Sequence, residues 1–540
     1  MKILASDMAL MLFDQKVFAH WEPSAYEIIF EANGGNVSPA AKTVIYGSTY
    51  GDLPIPTHPG YVFTGWYNQE GNAVTNLSKV EIDDSQILSA HWISCEYELQ
   101  NEEAIITQWD EEATDVKIPS WVDGFPVVGI GENAFKGRAS ITSVKMPDTV
   151  NTIGKSAFSF CYGLTNIVMG NSVRDIGNGA FKFCTKMADM ELPDGLTNIS
   201  SFAFAVCESL TSVVIPDSVT VIGSYAFDGC YGLTNLMVSS SIDKIDDAVF
   251  RDCISLAEVT IPDSVQSINY EAFKGCNSLM SVTIPDNVTN LSNASFYDCG
   301  DLMAFYVGEG NVRYKSVDGL LLSKDGKRLV GVPGGVTNVT IPQSIESIDG
   351  CALAGCRKLT SVTIPQSVTN IFSENAFENT ERLIAFSVDE HNSKYKSVDG
   401  LLLSKEGETL IAVPKGLTSV LIPDGVSKIA DYALSGCAKM ISISLPDGLT
   451  SIGQYAFRDC NNITNISLPR SLLSIGQSAF YRCNGIKYVD IPDSVTSIGY
   501  RAFQNCGGLM SVTMSSMLKA QVNNNRVFAE CPSGLVVNYR

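Results

Sequence analysis

Histidine is nearly absent from this chain. There are four in 540 residues, at His20, His58, His91 and His391. A serine or cysteine nucleophile needs a base within hydrogen-bond reach, most often an imidazole. Three of the four lie in the first 91 residues, and His20 and His91 recur in the matching strings FAHW and SAHW, which reads as structural. No H-E-x-x-H zinc motif and no Walker-type phosphate loop occurs, and the GxG at Gly129–Gly131 lacks a third glycine. The expectation is no catalytic residue, no cofactor and no metal. Basic side chains also run short, 37 against 58 acidic ones, for a net charge of -21. Such a balance repels the phosphates of nucleic acid and the headgroups of anionic membranes. No stretch reaches the ~18 apolar residues of a membrane-spanning helix, so no membrane insertion is expected. The start lacks a signal-peptide layout, because Asp7 and Asp14 interrupt its apolar run.

What the chain does have is a period. Phenylalanine recurs at Phe135, Phe158, Phe181, Phe204, Phe227, Phe250, Phe273 and Phe296, every 23 residues. The rhythm resumes at Leu353, Phe377, Leu434, Phe457, Phe480, Phe503 and Phe528. A fixed period of this size predicts a solenoid, in which one coil cannot bury its apolar side alone. In the copy Leu210–Gly232, the spacing makes Leu210, Val213 and Ile215 the inward anchors of a strand, with Thr211, Ser212 and Val214 facing solvent. Pro216 ends the strand, because it cannot donate to a ladder. Asp217 and Ser218 are expected to close a local turn, and Gly223 to take a positive φ. Ala226, Phe227 and Cys230 suit one helical turn packed inward.

Thirteen of the 15 cysteines keep the same offset, three residues after the repeat position, as at Cys161, Cys230 and Cys506; only Cys95 and Cys351 do not. Stacked coils lie ~4.8 Å apart, whereas a disulfide wants Cβ atoms ~3.8 Å apart. The ladder is therefore read as buried free thiols. Cys351 and Cys356 form a lone C-x4-C, too little for a zinc site. An aspartate follows the proline in many copies, among them Asp148, Asp217, Asp286 and Asp493; one carboxylate per coil reads as turn chemistry, not a calcium site.

The blocks IPDSV, IG and AFxxC together resemble the BspA-like, Treponema-type leucine-rich repeat family over about residues 94–540. The resemblance implies a β-rich α/β leucine-rich repeat solenoid, one strand plus a short helical turn per coil, with a surface role in adhesion and protein binding. Ahead of it, FEANGG, PGYVFTGWY at Pro59–Tyr67 and the closing AHW resemble the InlB B-repeat, or Listeria–Bacteroides repeat. That resemblance implies a small β-grasp-like module, and Asn33-Gly34 within it is a hairpin signal.

The expected layout is a tail of a preceding repeat or a disordered start at 1–21, the module at 22–93, an amino-terminal cap at 94–126, the solenoid at 127–513 and a carboxyl-terminal cap at 514–540. Two inserts, near 305–335 and 386–416, stretch Phe296–Leu353 and Phe377–Leu434 to 57 residues each. Their strings YKSVDGLLLSKDGKRLVGVP and YKSVDGLLLSKEGETLIAVP read as a β-hairpin turning at Gly326 and Gly407. An insert of this kind is either a longer coil or a protruding contact element.

Function is expected on the free face of the main strand, which is mostly small and uncharged. The candidates are Thr211, Ser212, Thr234 and Asn235, and the departure at Lys487, Tyr488 and Asp490, where an aromatic anchor sits between charges. The chain is read as a non-enzymatic cell-surface or secreted adhesion protein whose solenoid recognises host or neighbouring-cell proteins or glycans. A structural envelope or matrix scaffold without a specific ligand, and the binding region of a larger surface enzyme, are the alternatives.

Overall fold

A computed structural model describes residues 23–109, 114–372 and 376–540. The tail expected at 1–21, with His20, lies outside the described residues. The chain divides into two compact units, Met1–Cys184 and Thr185–Arg540.

The first unit opens with short strands whose alternate residues point into one core. β1 (Ala25–Glu31) pairs antiparallel with β2 (Ala41–Ile45) and parallel with β5 (Gln86–Gln100). β5 pairs antiparallel with β3 (Tyr61–Tyr67), which carries the two-residue β4 (Ala73–Val74). Ile28, Phe30, Val44, Trp66 and Leu88 fill the core. Its tryptophans also satisfy their polar ends: Trp66 Nε1 donates to the Pro54 carbonyl at 2.8 Å and Trp92 Nε1 to Ala32 at 2.7 Å. Asn33 and Gly34 do turn the chain, at φ 46° and 95°, but within the long β1–β2 connection and not as a two-residue hairpin. The Asn33 amide is used elsewhere, donating to Ala90 at 2.9 Å.

β5 does not end with this sheet. Its 15 residues span about 50 Å at the usual strand rise, and its second half pairs antiparallel with β6 (Glu103–Trp109) across a turn at Asn101-Glu102, both at positive φ. β6 pairs in parallel with β7 (Phe125–Ile130), and β7 with the second strand of the next coil, Thr152–Ile153. The small module and the start of the solenoid therefore share one strand. Trp109, fully buried, tilts over Phe135 at 5.5 Å, and Phe135, Phe158 and Phe181 follow in a stack at 4.8 and 5.3 Å.

In the second unit the coil Leu210–Gly232 shows how the repeat works. Ser212–Val214 pairs in parallel with Asn235–Met237, in register Ser212↔Asn235. Leu210, Val213, Ile215, Val219, Ile222, Ala226, Phe227 and Cys230 are all buried. Val221–Ile222 forms a second short strand against Asn198–Ile199. The expected helical turn is realised as tandem tight turns, in which Ala226 N–H donates to Gly223 at 3.2 Å and Cys230 N–H to Phe227 at 3.3 Å. Between those bonds Phe227 N–H donates to Val249 of the next coil at 2.9 Å, so the turn segment is stitched laterally like a strand. Among the described residues the helices are the 3-10 turn Ser516–Leu518 and the six-residue Lys519–Asn524.

Two expectations about the coil are corrected. Gly223 does not sit at positive φ; a Cβ there would lie 2.4 Å from the Ser201 backbone nitrogen, so its role is to let coils approach. The left-handed positions are Tyr225 and Gly229, two residues either side of the repeat Phe. Nor does Asp217 close its own turn. Its carboxylate accepts the N–H and hydroxyl of Ser240 on the next coil, both at 2.8 Å, and these donors hold it below the usual carboxyl range. Asp148 does the same for Asn171 N–H at 2.8 Å.

The inserts are three-stranded meanders, not single hairpins. Tyr314–Val317, Leu320–Ser323 and Arg328–Gly331 run antiparallel in turn, and the last takes the place of a second strand beside Ser347–Ile348. Tyr395–Val398, Leu401–Ser404 and Thr409–Ala412 repeat this beside Lys428–Ile429. Gly326 and Gly407 sit at turns, as expected; the first turn of each, Asp318-Gly319 and Asp399-Gly400, has both residues at positive φ. The protruding reading fails on burial: Leu320–Leu322 and Leu401–Leu403 are all buried. Each insert is an enlarged coil that adds its own layer to the core.

Candidate binding face

The cysteine ladder is core. Cys161, Cys230, Cys276 and Cys483 are buried, and each Sγ donates to the carbonyl of the repeat Phe one coil back, at 3.1, 3.3, 3.3 and 3.0 Å. Burial pushes the Cys161 and Cys230 thiols up to about 12, and Cys437 up to about 11, so they stay protonated. A thiol of this kind is a poor nucleophile and a poor metal ligand. Among the described residues no group of three or more His, Cys, Asp or Glu is placed to hold a metal ion. No helix among them is long and apolar enough to cross a membrane.

The sequence-derived candidates lie on the exposed side of the first strands, yet most of their polar atoms are already used. Thr211 Oγ1 donates to Ala188 at 3.3 Å and to Asp189 at 3.1 Å; Thr234 Oγ1 donates to the Thr211 carbonyl at 3.1 Å. Asn235 Nδ2 donates to Ser212 Oγ at 3.0 Å. These hydroxyls and amides stitch coil to coil. A partner that wanted them would first have to break a bond between coils.

At the other candidate, Tyr488 and Asp490 lie on one strand, with Lys487 just before it. Tyr488 is 59% exposed, and Asp490 is held by Arg540 at 3.1 Å, which also reaches Asp493 at 3.3 Å. Tyr488, Asp490, Arg470 and Arg540 border an open groove of about 1030 Å³.

Sequence reasoning missed the apolar side chains on this face. Val214, foreseen as solvent-facing, sits in register with Met237, which is 60% exposed. Met280, Met303 and Tyr306 form a second group, and Leu421 and Ile441 a third. The signal was available: these residues stand where sister coils carry Thr or Ser, as in SVTIP at Ser281–Pro285. Exposed apolar residues scattered singly are ordinary, whereas Val214 and Met237 are direct cross-strand neighbours.

These observations define the class: a leucine-rich β-solenoid preceded by a small β module. The chain belongs to the BspA type leucine rich repeat region family, which matches residues 114–234, 176–303, 334–398 and 414–533, more than half of the chain. Residues 26–91 match the Listeria-Bacteroides repeat domain.

Among solved structures, a leucine rich cell surface protein from Faecalibacterium prausnitzii is 25% identical, over 81% of this chain and 96% of that one, with a TM-score of 0.44. A leucine-rich repeat protein from Bacteroides ovatus is 24% identical, over 83% and 98%, with a TM-score of 0.39. The T. pallidum leucine rich repeat protein is 33% identical over 34% of this chain and 87% of that one, at 0.33. No curated protein matches.

Proposed function

We infer that this chain is a non-enzymatic adhesion protein, displayed on a cell surface or secreted, that binds a protein partner along its first-strand face. The observation that carries the reading is the apolar set on that face, Val214 with Met237 and Met280 with Met303 and Tyr306. The fold does not require methionine or tyrosine at these solvent-facing strand positions, since Thr and Ser serve in sister coils. Family membership supports a binding role, and the engaged hydroxyls leave these side chains as the contacts with energy to give. Methionine suits such a surface because its unbranched, polarisable side chain adapts to a partner's shape. A fully covered Met, Leu or Tyr contributes about 1.5–3 kcal/mol.

The test uses the full chain in surface plasmon resonance against immobilised extracellular-matrix proteins, fibronectin, laminin and collagen. The expected result is saturable binding to at least one, weakened at least tenfold by Met237→Glu or Tyr306→Ser with unchanged melting. Binding to none of them, or binding that both variants leave intact, overturns the reading.

A further inference from the structure

A separate cleft lies on the turn side of the second unit, away from the strand-face residues discussed above. Its volume is about 730 Å³. It is assembled from turns far apart in sequence: Tyr270 and Asn293 precede the first insert, Phe372 lies between the inserts, and Asp431, Tyr432 and Gln454 follow the second. Insertion of two enlarged coils leaves these turns as neighbours lining one depression.

The chemistry of the lining is specific. Tyr270 is 55% and Phe372 52% exposed, and Tyr432 stacks on Tyr455 at 5.1 Å. Ring faces carry negative quadrupole charge and attract the weakly positive hydrogens of a C–H face. The same lining carries hydrogen-bonding groups. Asp431 accepts from Gln454 at both oxygens, N–H at 2.7 Å and Nε2 at 2.9 Å, which fixes the carboxylate against the amide side chain. Asn293 Nδ2 is anchored on the Gly350 carbonyl at 3.1 Å, which turns its amide oxygen away from that bond. Among the described residues no Lys, Arg or His lines the cleft, and Asp431 is a charge facing it.

We propose that this cleft binds a neutral oligosaccharide. A pyranose presents a flat C–H face to an aromatic ring and a rim of hydroxyls, each both donor and acceptor, to carboxylate and amide groups. Tyr270 and Phe372 are the stacking platforms; Asp431, Asn293 and Gln454 are the hydroxyl partners. The Asp431 carboxylate, with no cation among the described lining residues, repels sialic and uronic acids. A fatty chain would instead cover the Asp431 charge without offering a donor to its remaining lone pairs.

The experiment is isothermal titration of the full chain with neutral gluco-, manno- and galacto-oligosaccharides, and with uronate and sialyl oligosaccharides of equal length. A glycoprotein bearing the bound sugar, before and after enzymatic deglycosylation, separates a protein-borne glycan from a free polysaccharide as source. The expected result is binding of a neutral series and none of the acidic ones. Tyr270→Ala and Phe372→Ala, both at exposed rings, should each weaken it about tenfold. Asp431→Asn, which keeps an acceptor for the Gln454 N–H, should admit acidic sugars; a purely structural aspartate would not change that selectivity. Met237→Glu on the strand face should leave sugar binding as it was, so this site and the protein-binding face fail independently. No binding of any neutral oligosaccharide at millimolar concentration, equal binding of acidic ones to the unmodified chain, or indifference to both ring variants overturns the proposal.

Discussion

The two meanders are near copies of one another, and they are pinned by different means. What they share is buried. Asn311 Nδ2 donates to Pro285 and Val288 carbonyls at 2.7 and 2.9 Å, while its Oδ1 accepts Arg313 and Tyr314 N–H at 2.9 and 2.8 Å. Asn392 makes the same four bonds, to Pro365, Val368, Lys394 and Tyr395. Tyr314 and Tyr395 hydroxyls each accept a strand N–H, of Leu291 and Ile371, both at 3.2 Å. In both, the repeat Phe before the insert meets an insert Phe edge-on, Phe296 with Phe305 at 5.6 Å and Phe377 with Phe386 at 4.8 Å. The ring stack is interrupted there, and the next coil carries Leu353 or Leu434.

What differs is charged. Arg328 forks onto the buried Asp349, and Arg357 onto Asp298, in the first insert's coils. At the corresponding places of the second stand Thr409, Ala430 and Ala438. Its Lys439 donates to the Glu381 carbonyl, at 3.0 Å. The contrast teaches that folding a meander into the coil requires the asparagine, the tight turn and the leucines, and tolerates the loss of the ion pairs.

The comparison is most strained by removing core. Leu322 and Leu403 are corresponding, fully buried side chains. Leu322→Ala and Leu403→Ala should each cost about 2–5 kcal/mol in urea unfolding, and by similar amounts. A large cost in one and a negligible cost in the other would show that the two meanders are not equivalent layers of core. Next in size are Asn311→Ala and Asn392→Ala. Each strands two carbonyls and two N–H groups in the interior, and should cost roughly 2–3 kcal/mol. Equal losses support the shared design; a cost confined to one copy would make the asparagine a local feature of that coil.

How much of this was legible depended on whether a property repeats. The apolar rungs Leu210, Val213, Ile215 and Phe227 and the thiol ladder were readable because burial imposes one residue type at one phase, copy after copy. The partner of a polar group was not. Asp217 looks like turn chemistry in its own copy, and only the stacking of coils shows that it serves Ser240. Gly223 was given the wrong reason for a similar cause, since close approach of the next coil is invisible within one repeat. The first meander turn is legible in the sequence, since Asp318-Gly319 between apolar runs is a stronger short hairpin signal than the turn at Gly326. On the first-strand face, periodicity shows which side chains are free of the core but not which of them bond to the next coil. The small polar side chains recur there because they bond between coils, and Met237 and Tyr306 are exposed departures from that repeat.

The smallest effect belongs to the ion pairs, and it decides whether they are more than ornament. Asp349 is buried while Arg328 is more than half exposed, so water and salt screen the pair from one side. Asp349→Asn keeps size and hydrogen-bonding capacity and removes the charge; it should cost about 1 kcal/mol at low ionic strength, shrinking as salt is raised. The second meander offers the reciprocal experiment. Thr409→Arg with Ala430→Asp would install the missing fork, and the gain should be no larger than the loss in the first, because side-chain entropy and desolvation offset most of the attraction. Should Asp349→Asn instead cost as much as Asn311→Ala and ignore salt, the ion pair would have to be counted with the asparagine among the requirements of the first fold-back. The second meander would then need a replacement for it, and Lys415, whose ammonium donates to the Ser435 carbonyl where the first copy has Gly334, is the side chain to remove next.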